Sequence, residues 1–184
     1  MSNTGLDAST PGGEFRLRAL EGMERLNAAL LGSDSATLTL ETWCGAPVTA
    51  RRMPGDSPAD PALRQRLEAE GDEPVAYRHV QLVCGGRVLS EAQNWYLPGR
   101  LTPDMLDQLA MTETAFGRVI LPLGPVRETT SVTVLWRPAA QIRSLPPAAP
   151  LFEHRARVFD RRGHPLAEVV ETYSSDALAF GFAR

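Results

Sequence analysis

The segment AYRHVQLVCGG (76–86) places an arginine at the head of an apolar row. It has the pattern of a β-strand running into a Gly-Gly turn, so alternate side chains point to opposite faces. One face carries Tyr77, His79, Gln81 and Val83; the other carries Arg78, Val80, Leu82 and Cys84. A guanidinium on a buried row is costly unless something pairs with it, and its planar fork matches a carboxylate. Arg78 is therefore a candidate anion-binding residue. The plainer reading is an arginine paired inside the protein or reaching out to the sheet edge. A second candidate lies in PLAEVVETY (165–173), where alternation separates Ala167, Val169, Glu171 and Tyr173 from Leu166, Glu168, Val170 and Thr172. Either glutamate can supply proton-transfer chemistry if its face is buried; strand glutamates commonly face solvent.

Other chemistries lack their motifs. There is no Walker loop, GxGxxG, HExxH, CxxC pair or nucleophile elbow. The three histidines, His79, His154 and His164, have no ligand spacing, and His79 falls on the face opposite Arg78. Cys44 and Cys84 lie forty residues apart and are expected as free thiols, Cys84 as a small buried residue. Arg118 reads as structural, and Trp95, Tyr96 and Trp136 as core or sheet-edge aromatics.

The elements that must position these residues follow from periodicity and punctuation. Apolar spacing gives a helix over 14–31. Residues 33–35 (Ser-Asp-Ser) are good N-caps for a short helix to about Thr42, although the Thr/Leu alternation there equally suits a strand. A strand is expected over 47–53, a loop over 54–61, and a short polar helix closed by Gly71. Strands at 76–84 and 87–97 form a hairpin through Gly85-Gly86. Thr102 caps a helix with Pro103 at its first position. A turn or short helix covers 114–124, a strand 128–138, and a Pro-rich connector 139–150. A second hairpin turns at 161–164. Helices framing four or more strands in hairpin order give an α+β fold with a mostly antiparallel sheet.

The 184 residues suit one domain (14–184) behind a flexible arm (1–13). A formal net charge of −3 and 43% hydrophobic residues give no nucleic-acid footprint, and no apolar run is long enough for a membrane span. A cytoplasmic location is expected, and the Pro/Gly-rich loops at 45–61 and 138–150 suit mobile flaps.

Four stretches, LLGSDSATLTLE, YRHVQLVCGG with a following strand that ends in LP, TETAFGRVIL and RGHPLAEVVETYSSDAL, occur in the order found in the chorismate pyruvate-lyase family. The chain resembles that family over about 30–180 and, more distantly, the UTRA effector-binding domains of the same fold. The resemblance implies a chorismate lyase-like fold, a monomer and no cofactor. It also implies cleavage of chorismate to 4-hydroxybenzoate and pyruvate, as in ubiquinone biosynthesis. It places the arginine that grips the ring carboxylate on Arg78, helped by the backbone amides of Ala36 and Phe116. The glutamate facing the ring's 4-oxygen, a general acid, falls on Glu171 when the match is anchored on ETYSSDALAF; anchoring on GHPL leaves a one-residue slip, and Glu168, three residues earlier, is the rival. The family usually has larger apolar and leucine residues where this chain has Ala36 and Phe116, and an arginine near Asn94. Those departures leave open a non-catalytic binder of a small aromatic acid, or an enzyme of this fold with another substrate.

Overall fold

The computed structural model describes residues 11–139 and 142–181. Six antiparallel strands form one sheet in the order β1-β2-β3-β6-β5-β4: β1 (Thr49–Arg52), β2 (Ala76–Cys84), β3 (Arg87–Tyr96), β4 (Val126–Val134), β5 (Pro150–Phe159) and β6 (Pro165–Ser174). The helices are α1 (Pro11–Leu31), α2 (Ala36–Cys44), α3 (Pro61–Arg66), α4 (Pro103–Met111), α5 (Phe116–Val119) and α6 (Ser175–Gly181). The expected α+β architecture with an antiparallel sheet is present. Helix α1 starts at Pro11, a residue type suited to a first helical turn, three residues before the expected Glu14. The rest of the expected arm lies outside the described residues.

Local signals decide most boundaries. The ambiguous TLTLE segment is helical because both ends are capped: Ser35 accepts from the Leu38 N–H, and Gly45 closes the helix at φ 76°. Asp60 and Thr102 cap α3 and α4 in the same way. The chain after β6 turns into α6, for which no helical pattern was read; Ser174 Oγ accepts the Asp176 N–H at its start.

The register places Arg78 opposite Asn94 and Asn94 opposite Val169; one step along, Val80, Ala92, Glu171 and His154 form the next row. These rows face two apolar clusters. One joins α1, α2 and α6 to β2 and β3 through Leu26, Leu40, Val80 and Leu178; the other joins α4 and α5 to β5 and β6 through Leu109, Phe116, Ala156 and Val169. The other sheet face is mostly polar and carries His79, which bonds Glu91 at 2.7 Å.

The cysteines correct the sequence expectation: Cys44 and Cys84 form a disulfide, with Cα atoms 6.7 Å apart. Sequence distance misled because β1 folds back on β2, pairing Thr49 with Val83 and so bringing the end of α2 to the end of β2. Disulfides persist in oxidising compartments, so cysteine usage no longer favours the cytoplasm. Among the described residues no helix is long and apolar enough to cross a membrane. Closing a loop of this length contributes about 2–4 kcal/mol. Denaturant unfolding with and without reductant should differ by that amount, and a thiol assay should find no reactive cysteine before reduction.

Candidate functional site

A cavity of about 40 Å3 lies at the seam between the two clusters, under the N-termini of α2 and α5. Its floor is the sheet face, with Val80, Leu82, Ala92 and Val169; Ile120 and Val158 add apolar wall. Ala36 and Phe116 both line it, as does Glu171. Each helix begins there with backbone N–H groups that have no helical acceptor, so the roof presents donors to whatever the cavity holds.

The two helices sit unusually close at this point. A Cβ on Gly117 would lie 2.9 Å from Thr37 Oγ1 and 3.0 Å from Ser35 Oγ, so only glycine fits. The Glu41 carboxylate ties the same helices together, accepting from Arg118 Nε at 3.3 Å and from the Val48 N–H at 3.1 Å. Arg118 is thus a positioning element, as its sequence context suggested.

Arg78 is buried, 4% exposed. It does not line the cavity itself; it lies beside it, and both terminal nitrogens donate to the Thr114 carbonyl at 3.2 Å, two residues before Phe116. Its Nε finds no acceptor, and among the described residues no carboxylate pairs with it. Burial, reinforced by the charge of Arg52, pulls its pKa below the ordinary arginine value, against a smaller opposing effect of Tyr96.

Glu171 and Glu168 separate cleanly. Glu168 faces away from the cavity and is held by Arg66 through two bonds of 2.6 and 2.8 Å. Glu171 faces the cavity, and its Oε2 accepts from Arg127 Nη2 at 2.7 Å and from the Tyr173 hydroxyl at 2.9 Å. Its Oε1 has no protein donor among the described residues. Arg127, on β4, also donates to Thr129 Oγ1 at 2.6 Å, and its side chain is 3% exposed. Burial is the largest single influence on Arg127 and opposes its charge, but Glu171 and Tyr173 together outweigh it and raise the pKa. Burial, followed by the Glu171 charge, keeps Tyr173 protonated well above its usual range. Behind them His154 is fully buried, bonds Asn27 Oδ1 at 2.7 Å, and is pushed down to about 4, chiefly by burial and then by Arg127.

Three of the four residues singled out from sequence therefore line one cavity, and Arg78 adjoins it. Arg127 and Asp34, both lining residues, were missed. The sequence pattern starts this strand at Glu128; it begins two residues earlier, and its alternation sets Arg127 on the face of Thr129, opposite Val158. Asn94 is buried and lines the cavity, and its side-chain amide has no partner among the described residues. No group of three or more histidine, cysteine, aspartate or glutamate residues suited to a metal occurs among the described residues. Trp95 donates to the Ser57 carbonyl at 2.7 Å, pinning the loop after β1 that was expected as a flap.

No protein-family model matches the chain. The uncharacterized protein y4mC of Sinorhizobium fredii is 38% identical, over 90% of this chain and 78% of that protein. Crystal structures of PhnF from Mycobacterium smegmatis and of its effector domain each align over 78% of this chain, at TM-score 0.54 and 17% identity. The chain spans 64% of whole PhnF and 91% of the effector domain, so the likeness is one of fold, confined largely to that domain. The fold is thus the chorismate lyase-like one shared with effector-binding domains.

The site makes two stability predictions. His154 binds a proton in the unfolded chain below about 6.5 but in the folded protein only below about 4. Its contribution is complete above 6.5 and is lost as pH falls towards 4, by up to about 3 kcal/mol; urea unfolding at stepped pH measures it. Gly117→Ala should cost about 1–3 kcal/mol by forcing α2 from α5, read as a shift in the unfolding midpoint.

Proposed function

We propose, for a chain that belongs to the family of the Sinorhizobium fredii protein y4mC, that its cavity binds a small organic carboxylate. The observation that carries this is Arg78: a buried guanidinium met among the described residues by one carbonyl, next to a cavity that lies under two helix N-termini. A charge left in that state is expensive in the free protein and becomes favourable when an anion arrives. The ligand carboxylate takes Arg78 Nε and the amides of Ala36 and Phe116. The apolar floor takes a flat ring or short hydrocarbon body, and Glu171 Oε1 accepts a hydrogen bond from its far end. Nothing in this scheme requires a cofactor. The effector domain of PhnF, which has the same fold, is consistent with binding as the whole task of such a cavity.

A second reading is chorismate lyase itself, and the cavity-facing position of Glu171 favours it. Here the enolpyruvyl ether bond breaks, the ring loses a proton and becomes aromatic, and the released enol becomes pyruvate. Glu171, engaged by Arg127 and Tyr173, is better suited to accept a hydrogen bond than to act as the general acid.

Calorimetry with 4-hydroxybenzoate and incubation with chorismate, with products followed by chromatography, separate the readings. Arg78→Met should weaken 4-hydroxybenzoate binding by roughly 30-fold or more, whereas the unliganded protein should change in stability by under about 2 kcal/mol. An arginine with a purely structural task would show the reverse. Product formation that disappears in Glu171→Gln establishes the lyase; binding without turnover establishes the binder.

A further inference from the structure

The charges around the cavity are unevenly divided. Arg78 stands on β2, at one side of the sheet, with no carboxylate partner among the described residues. Towards the other side, two carboxylates, Glu171 on β6 and Asp34 in the turn before α2, gather on Arg127 of β4. Glu171 Oε2 takes its Nη2, and Asp34 Oδ1 accepts its backbone N–H at 3.4 Å. The guanidinium itself meets Glu171, while Asp34, exposed, holds the backbone; the cavity lining thus carries one cation and two carboxylates.

Resting on the carboxylate-binding reading above, we propose that Asp34 and Arg127 set the ligand's charge pattern. The cavity selects monoanions that carry a hydrogen-bond donor opposite the anionic group, and it rejects dianions.

A ligand carboxylate is welcome only at Arg78. A second one, placed towards Glu171, would be a third negative group beside a single cation, and next to the buried Glu171 carboxylate like charges repel strongly. Arg127 offsets this only in part: its charge is already shared with Glu171 through Nη2 and its Nη1 goes to Thr129, which leaves Nε as its one donor without an acceptor among the described residues. Glu171 Oε2 is saturated by Arg127 and Tyr173, so Oε1 is the group left for the ligand, and a carboxylate oxygen offers it nothing to accept. A hydroxyl or amine donates to it. Asn94, across from Arg78 in the sheet, is neutral and brings no further cation for a second acid group. Chorismate carries two carboxylates and falls on the rejected side, so this charge pattern favours the binding reading over the lyase.

The test is calorimetry at neutral pH with benzoate, 4-hydroxybenzoate, 4-aminobenzoate and terephthalate. The hydroxy and amino acids should bind tighter than benzoate, and terephthalate at least 10-fold weaker. Asp34→Asn, at the cavity mouth, and Glu171→Gln, in its wall, should each narrow the benzoate-to-terephthalate ratio several-fold. The mouth variant keeps the test decisive should the buried one fail to fold. Terephthalate binding as well as benzoate, or a ratio that neither variant changes, overturns the inference while leaving the carboxylate site standing. Failure of all four acids to bind overturns that site and the inference together.

Discussion

A guanidinium buried on the covered face of the sheet, with a carbonyl instead of a carboxylate to meet it, is the constraint around which this molecule is arranged. Arg78 cannot leave: its strand is paired on both sides, and Val80, Leu82 and Cys84 on the same row are buried. Keeping a desolvated charge lowers stability, and proteins that do so generally use it. Its neighbours share the pattern. Among the described residues, Arg127 Nε is buried without an acceptor, the buried Asn94 has no side-chain partner, and one Glu171 oxygen accepts no protein hydrogen bond. Of the buried polar atoms without a partner among the described residues, those of Arg78 and Arg127 lie at or beside the cavity.

The surrounding architecture holds that place open. Helix α2 is fixed at both ends, by the Cys44–Cys84 disulfide at its last residue and by the contact with Gly117 near its first. The Glu41–Arg118 pair joins it to α5 between those points. Two helix starts are thereby aimed at the same volume over a sheet whose register is set by long antiparallel pairings. The buried Tyr173 hydroxyl and Arg127 hold Glu171 in one orientation, and His154, neutral behind them, bonds α1 through Asn27.

Much of this was legible in the sequence where local rules act alone. The β2–β3 hairpin followed from Gly85-Gly86, and the face bearing Arg78 followed from strict alternation. The resemblance pointed to Ala36, Phe116 and Glu171, and the structure brings them to one cavity. Whatever depended on distant chain segments was hidden. The disulfide needed the β1–β2 pairing to be known, and the choice between Glu168 and Glu171 needed the position of Arg66 on α3. Arg127 was invisible because its strand begins two residues earlier than the apolar pattern suggested, with mostly exposed side chains along β4 and therefore little hydrophobic signal.

The most direct test is an NMR titration of the labelled protein with 4-hydroxybenzoate, following the Arg78 Nε–H and the backbone amides of Ala36 and Phe116. If the buried charge exists to receive a carboxylate, these three signals shift together and saturate at one ligand equivalent. Binding that leaves them unmoved, with shifts instead in the groove beside Arg25 and Trp43, would contradict the assignment of the site.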